Sequence, residues 1–249
     1  MRLGFTSVTF RQKSLEEVFQ IARDNKLDLI EWGGDIHLPY DDPVALEKVL
    51  EGQEKFGIGS LSYGSYYKTG EEDFEKFEGI CKTAKATGAK TVRIWLGNRP
   101  GSLYTQKAFE RMMAELEDLC AIAQEYNLTV AAEYHQNTYN DNLKNALKVL
   151  ESCQAENYKT YWQPQGNEKK DLESLEALLD HIAVVHVFNW SNFNLRYPFC
   201  EKPERWQRFF EIIATAKQDI PLIMEFVKDD SPNQFAEDVD CIRKMIADI

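Results

Sequence analysis

Five polar side chains of the kinds that bind metal ions or move protons lie near the ends of short β-rich runs. They are Glu133, His135, Gln163, His186 and Glu225. Carboxylates, imidazoles and amide oxygens are ligands of divalent cations, and a carboxylate beside a bound cation can remove a proton next to a carbonyl group. A fold that brings these side chains together would therefore create a metal centre with acid–base groups.

Eight β-rich runs alternate with helical patterns along the chain. The runs begin at Leu3, Leu27, Ile58, Lys90, Leu128, Tyr158, Ile182 and Ile220. Their starts lie roughly 25 to 38 residues apart, which is the length of a strand, a crossover helix and two loops. The chain has 249 residues, of which 43% are hydrophobic, and this suits one large core. We predict an α/β protein in which residues 1–249 form a single (β/α)₈ TIM-barrel domain.

The helical segments carry recognisable start signals. Ser14 and Glu17 have the spacing of a capping box ahead of an apolar stripe. Ser231 and Pro232 precede the last stripe, so the chain is predicted to close with a helix. The carboxyl ends of the alternating strands should then meet at one mouth of the barrel.

Strand alternation predicts which side chains point into the barrel. Glu133 and His135 share one face of the fifth run, and Arg93 and Trp95 share the corresponding face of the fourth. Glu225 has the inward phase of the eighth run. Burying a carboxylate costs desolvation free energy unless a cation lies beside it. We therefore expect a positive charge in this interior, which a divalent ion would supply.

Composition limits the classes of partner. The formal charge of −12 repels polyanions, so nucleic acid and anionic membrane surfaces are not expected partners, whereas a small neutral molecule is. No run approaches the about 18 apolar residues of a membrane span, and no signal-peptide pattern opens the sequence. We therefore expect a cytoplasmic protein.

The cysteines are odd in number, scattered and free of CxxC spacing. They are Cys81, Cys120, Cys153, Cys200 and Cys241. This pattern argues against a disulfide framework or a thiolate zinc site and predicts reduced, mostly packed thiols.

An ordered set of segments carries a family resemblance across essentially the whole chain. The segments are EWGGDIH from Glu31, SYGSYY from Ser62, AEYHQNT from Ala132, YWQP from Tyr161 and HVFNW from His186. Together with the order Glu, polar residue, His and Glu at runs five to eight, they resemble the xylose isomerase-like TIM-barrel superfamily. The nearest patterns are those of sugar epimerases, hydroxypyruvate isomerases and inosose dehydratases.

The resemblance implies one divalent metal ion, with Mn²⁺ expected first and Zn²⁺, Co²⁺, Fe²⁺ or Mg²⁺ as alternatives. Its ligands would be Glu133, Gln163, His186 and Glu225. Gln163 departs from the family pattern, which has Asp there and commonly a His three residues later. An amide oxygen still binds a hard cation but leaves the site less negative, so metal affinity should be weaker unless His135 compensates. In the alternative reading, Gln163 only forms hydrogen bonds within a degenerate site.

The resemblance also implies roles in catalysis. Glu133 and Glu225 would remove and return a proton from opposite faces of the substrate, while a second acceptor would hold the other ring nitrogen of His186. Arg93 would either bind a substrate oxygen or form an ion pair with Glu31.

Further residues are candidate substrate contacts at the mouth. They are His37, Tyr66, Trp95, His135, Trp190 and Arg196, with Tyr63, Tyr67 and Phe188 as further aromatic wall residues. For each aromatic, ordinary packing is the competing explanation, and near His37 the Asp35 side chain could simply cap a turn. The segment 189–203 is the longest apparent loop after a strand, and it would act either as a lid or as a partner contact.

These expectations favour an isomerase or epimerase of a small sugar, a polyol-derived ketone or a sugar phosphate, acting through an enediolate. The absence of a phosphate-binding glycine motif favours an unphosphorylated substrate. The alternatives are an inosose-type dehydratase and a non-catalytic sugar-binding protein on a degenerate scaffold. A nuclease of the same superfamily needs a histidine-rich site and does not fit four histidines and a charge of −12. Similar barrels commonly form homodimers, so a homodimer is a further expectation.

Overall fold

The computed structural model describes residues 1–192, 195–201, 203–247 and 249. Its strands are β1 Leu3–Thr6, β2 Leu29–Gly33, β3 Gly59–Lys68, β4 Thr91–Trp95, β5 Thr129–Glu133, β6 Tyr158–Trp162, β7 Ile182–Val187, β8 Trp190–Asn192, β9 Leu195–Arg196 and β10 Leu222–Met224. Eight of them form a closed parallel barrel in the order β1-β10-β7-β6-β5-β4-β3-β2. The predicted (β/α)₈ fold and all eight predicted strands are confirmed.

The helices follow the barrel strands as crossovers. They are α1 Leu15–Asp24, α2 Pro43–Phe56, α3 Phe74–Ala86, α4 Gln106–Glu125, α5 Leu143–Ser152, α6 Glu168–Leu178, α7 Glu204–Ala214 and α8 Pro232–Ala247. The capping box predicted at α1 is present, since the Glu17 N–H donates to the Ser14 hydroxyl and the Glu17 carboxylate accepts the Ser14 N–H. α8 begins at Pro232, as its start signal predicts.

The interior of the barrel has two levels. A small apolar cluster contains Leu61, Ala131, Tyr161, Val184 and Ile223. Four of these residues lie two positions before Glu133, Gln163, His186 and Glu225. Because side chains two apart on a strand share a face, the polar residues form the next level toward the carboxyl ends of the strands.

β3 extends further than the sequence suggests. Tyr63, Tyr66 and Tyr67 lie within the strand rather than after it, and the register with β4 shifts between Gly64 and Tyr67. Tyr66 lies in this irregularity with a φ of 56°, a left-handed conformation that is rare outside glycine. The bulge lets Tyr66 face the barrel mouth, whereas Tyr63 and Tyr67 are buried in the layer between the barrel and the helices.

The expectation of five reduced thiols is wrong for two of them. Cys200, which follows the β8–β9 hairpin, forms a disulfide with Cys241 of α8 across 41 residues of sequence. The same segment is held by the Phe199 N–H, which donates to the Asp238 carboxylate of α8 at 2.7 Å. Spacing rules miss this pair because only barrel closure brings the two segments together. Among the described residues the free cysteines are Cys81, Cys120 and Cys153.

Within the described part of the chain, every helix is either too short or too polar to span a lipid bilayer.

Candidate functional site

Three side chains meet at the carboxyl end of the barrel with the geometry of a metal centre. Ligand atoms of Glu133, His186 and Glu225 lie within 4.8 Å of one another, and all three residues are buried. The Nδ1 atom of His186 is 3.6 Å from Oε1 of Glu133 and 3.7 Å from Oε2 of Glu225. Gln163 joins them, because its Nε2 donates to Oε1 of Glu133 at 3.1 Å. The structure thus brings together the four residues predicted as metal ligands.

Two buried polar atoms of this cluster have no hydrogen-bond partner among the described residues. They are Nδ1 of His186 and Oε1 of Gln163. Unpaired buried polar atoms are uncommon in folded proteins because each costs the desolvation of the group. An imidazole nitrogen, an amide oxygen and two carboxylates form a suitable donor set for Mn²⁺ or Zn²⁺. The residues present therefore fit a divalent cation.

Arg93 lies behind the cluster and contacts two carboxylates. Its Nη1 donates to Oε2 of Glu133, and its Nε is 3.7 Å from Oε1 of Glu31. Trp95 also donates its indole N–H to Oε2 of Glu133. Gly64 leaves room for this arrangement, because a Cβ atom there would lie 2.7 Å from Nη2 of Arg93. The ion pair with Glu31 is present, and the Arg93 side chain also lines the mouth.

Glu31, in the middle of β2, is fully buried. Its Oε2 accepts hydrogen bonds from the Ser62 hydroxyl at 3.0 Å and from the Tyr161 hydroxyl, and its Oε1 is 3.3 Å from Nε2 of His186. Sequence reasoning named Glu31 only as a partner of Arg93 and gave Tyr161 no role. Strand alternation could have found both, since Tyr161 shares the inward phase with Gln163.

The buried charges shift each other's pKa. Burial alone lowers the pKa of His186, but the carboxylates of Glu225 and Glu31 outweigh burial and raise it to about 10. Burial raises the pKa of Glu225 despite the imidazole. Burial also favours the neutral form of Glu133, yet Arg93 holds the pKa of Glu133 well below its usual range. Of the two carboxylates beside Nδ1 of His186, Glu133 is therefore strongly held in its ionised form and Glu225 is not.

A cavity of about 600 Å³ opens above the cluster. Its apolar walls are Tyr66, Trp95, Phe188, Trp190 and Phe226. Its polar lining includes Arg11, His135, Gln136, Asn137, Gln165, Ser191 and Arg205. The ring of His135 stacks on Trp95 at 5.2 Å between centroids. The cavity is therefore largely aromatic above a charged floor, as in many small-molecule sites.

Two predicted substrate contacts lie outside this cavity. Nε2 of His37 is 3.0 Å from the carbonyl oxygen of Lys13, and the His37 ring lines a separate groove beside α1 and α2. Arg196 of β9 donates to the carbonyl of Val227 at 3.3 Å and to the carboxylate of Asp230, so it ties the hairpin to the segment after β10. The cavity is lined by the other predicted contacts, Tyr66, Arg93, Trp95, His135, Phe188 and Trp190. Tyr63 and Tyr67, expected as further wall residues, are instead buried in the outer core. Residues 193, 194 and 202 of the proposed lid lie outside the described part of the chain.

Comparison with known families decides the classification. Residues 8–245 match the sequence model of the xylose isomerase-like TIM barrel. The chain belongs to the xylose isomerase-like TIM-barrel family. The resemblance seen in the ordered segments of the sequence is thereby confirmed. A comparison with curated protein sequences gives no match.

Solved structures share the fold of this xylose isomerase-like barrel over nearly their full length. The probable 3-DHS dehydratase AsbF of Bacillus anthracis is 16% identical with a TM-score of 0.81, covering 98% of this chain and 99% of its own. The IolI protein with a bound zinc atom is 17% identical with a TM-score of 0.77, covering 100% and 97%. An L-ribulose 3-epimerase is 15% identical with a TM-score of 0.75, covering 99% and 95%. At these identities the likeness establishes the fold alone.

Proposed function

We propose that this protein is a divalent-metal-dependent isomerase or epimerase of a small sugar, a polyol-derived ketone or a sugar phosphate, with residues 1–249 acting as one domain. One observation carries the proposal. Glu133, His186 and Glu225 converge at the floor of an aromatic cavity, where Nδ1 of His186 faces both carboxylates but forms no hydrogen bond with the described residues. One of the structures with the same fold is an L-ribulose 3-epimerase, which supports the choice of an isomerase or epimerase.

Glu133, Gln163, His186 and Glu225 would hold the metal ion. When bound, the ion supplies a Lewis acid that polarises a carbonyl oxygen of the substrate. Mn²⁺ is the ion we expect, with Zn²⁺, Co²⁺, Fe²⁺ and Mg²⁺ as alternatives. The zinc atom named for IolI, which has the same fold, supports the choice of a divalent cation.

Glu225 is the better candidate for proton transfer. Its side chain accepts no hydrogen bond from the described residues, although it lines the cavity. Glu133 instead receives the Arg93 and Trp95 donors on one oxygen and Gln163 on the other, which holds it ionised and in place. In the two-base form of the proposal, Glu133 returns the proton on the opposite face.

The cavity walls suit a carbohydrate. Tyr66, Trp95 and Trp190 present ring faces to the C–H groups of a sugar, and His135 stacked on Trp95 offers a polar edge for hydroxyl groups. Arg93 is close enough to the floor to contact a substrate oxygen. His37 and Arg196 are no longer proposed as substrate contacts.

A dehydratase is the second candidate, and the same asymmetry of the glutamates favours it. With Glu133 held by Arg93 and Trp95, Glu225 can act as the single base that removes a proton before a β-hydroxyl leaves as water. Release of water from the product would separate a dehydratase from an isomerase or epimerase. We retain a cytoplasmic location and a homodimer as predictions.

Solvent exchange tests the proposal. Protein loaded with Mn²⁺ or Zn²⁺ is incubated in D₂O with a panel of ketoses, aldoses and keto-polyols, and loss of C–H signals is followed by NMR. We expect exchange at a carbon next to a carbonyl group, and its loss in Glu225→Gln at matched metal content. A wild-type protein that binds none of the five metals and exchanges no proton would contradict the proposal, and sugar binding without exchange would then favour a non-catalytic sugar-binding protein.

A further inference from the structure

The two oxygens of Glu31 have different partners. Oε2 accepts hydrogen bonds from the hydroxyls of Tyr161 and Ser62. Oε1 faces Nε2 of His186 at 3.3 Å and Nε of Arg93 at 3.7 Å. Tyr161 and Ser62 therefore fix the rotation of the carboxylate and leave Oε1 directed at the imidazole.

This arrangement selects one tautomer of His186. A carboxylate only accepts hydrogen bonds, so Nε2 of His186 must carry the hydrogen that points at Glu31. The lone pair of the neutral ring is then on Nδ1. That atom is buried, lacks a hydrogen-bond partner among the described residues and lies between oxygens of Glu133 and Glu225.

Tyr161 restricts the imidazole in a second way. Its ring centroid lies 4.6 Å from that of His186, and both side chains are fully buried. A flip of the ring about the Cβ–Cγ bond, which would exchange Nδ1 with Cδ2 and Nε2 with Cε1, would have to displace this packing and break the contact with Glu31. Packing and hydrogen bonding thus oppose the same rotation.

We propose that Glu31 and Tyr161 are positioning residues that hold His186 in its Nε2–H tautomer and so present Nδ1 as the metal-binding atom. The inference rests on the metal site of the proposed function. Neither residue touches the metal ion or the substrate in this arrangement. Their contribution is to metal affinity, because they fix the ring and keep the hydrogen on Nε2, so that the arriving ion replaces the hydrogen on Nδ1.

Tyr161→Phe removes one hydroxyl and keeps the ring, and Tyr158→Phe is its matched control. Tyr158 lies on the same strand and is also buried, but it belongs to the cluster between the barrel and the helices rather than to the interior. Affinity for Zn²⁺ is measured by competition with a chelator. We expect about 10- to 100-fold weaker binding in Tyr161→Phe and in Glu31→Gln, and no change in Tyr158→Phe.

Nitrogen NMR of the zinc-loaded protein gives a readout that a purely structural role would not change. With four histidines in the chain, the His186 signals can be assigned by comparison with a His186→Gln sample. We expect zinc on Nδ1 and hydrogen on Nε2 in the wild type, and a second population with zinc on Nε2 in Tyr161→Phe.

Three results would overturn the inference. Zinc coordination through Nε2 of His186 in the wild type contradicts it directly. Equal zinc affinity of Tyr161→Phe and Tyr158→Phe, with tight binding by the wild type, also contradicts it. Both results leave the proposed metal site intact. A wild-type protein that binds none of the five divalent ions removes the proposed metal site and this inference together.

Discussion

The two layers of this barrel contain different kinds of side chain. Between the strands and the helices lie large apolar side chains such as Trp32, Phe77 and Phe210, all essentially inaccessible to solvent. Inside the strands, a small apolar cluster supports a level of charged and polar groups. Burial of apolar surface stabilises the outer layer, whereas buried charges cost desolvation that their pairing only partly offsets. Stability should therefore depend on the outer layer, and chemistry on the inner one.

The largest effect on folding should come from the outer layer. Phe210→Ala, in α7, deletes a fully buried ring that packs on Phe199 and Trp206. We expect a loss of about 3–5 kcal/mol in the free energy of unfolding, measured in urea. Phe74→Ala, at a residue that is 45% exposed, is the control and should cost less than about 0.5 kcal/mol. Metal affinity of the folded protein should not change, and a parallel loss of affinity would break the division between the layers.

Glu225→Gln should show the opposite pattern. The side chain accepts no hydrogen bond from the described residues and lies among other buried carboxylates, so a neutral group of the same shape relieves repulsion. We expect the metal-free variant to be as stable as the wild type or more stable by about 1 kcal/mol. Its affinity for Mn²⁺, measured by calorimetry, should fall by about 100-fold, equivalent to about 3 kcal/mol. A strongly destabilised metal-free variant would show that Glu225 contributes to the fold as well.

Gln163→Asp sharpens the comparison within the inner layer. In the wild type, Oε1 of Glu133 accepts a hydrogen bond from the Gln163 amide. A carboxylate in place of the amide would repel Glu133 and should destabilise the metal-free protein at neutral pH by about 1 kcal/mol. Affinity for Mn²⁺ should rise by about tenfold because a hard cation prefers the added charge. Gln163→Glu controls for side-chain length. If both variants lose affinity, the neutral amide is the ligand that this site requires.

Asp238→Asn tests a buried charge away from the barrel mouth. Burial raises the pKa of Asp238 to about 6, so the folded state binds its proton more tightly than the unfolded state. Stability contributed by this group is therefore present at low pH and falls as the pH rises from about 4 to about 6. The free energy of unfolding of Asp238→Asn should not show this fall. The difference between the variant and the wild type should therefore shift in favour of the variant by about 1–3 kcal/mol from pH 4 to pH 7.5. Urea unfolding of both proteins at both pH values checks this. An equal difference between their free energies of unfolding at pH 4 and at pH 7.5 would contradict it.

Local sequence patterns predicted the barrel fold and part of the candidate site. Alternation placed Glu133 and Arg93 inward, and the periodic runs located every barrel strand, because both signals are repeated along a few neighbouring residues. The contact of Tyr161 with Glu31 joins β6 to β2 across the barrel, and the disulfide of Cys200 joins segments 41 residues apart. Such contacts depend on closure of the whole barrel. No short window of sequence contains them.

Closure also has a consequence for the order in which a newly made chain acquires its parts. β1 pairs with β10, and Phe235 of α8 packs against Phe5 and Phe10. Synthesis runs from the first strand to the last, so β1 cannot pair with its second neighbour until β10 has left the ribosome. Glu225 follows β10 and is the last ligand to emerge. A nascent chain therefore passes through a stage with two open sheet edges and an incomplete ligand set, when it is most exposed to aggregation and when chaperones would matter most.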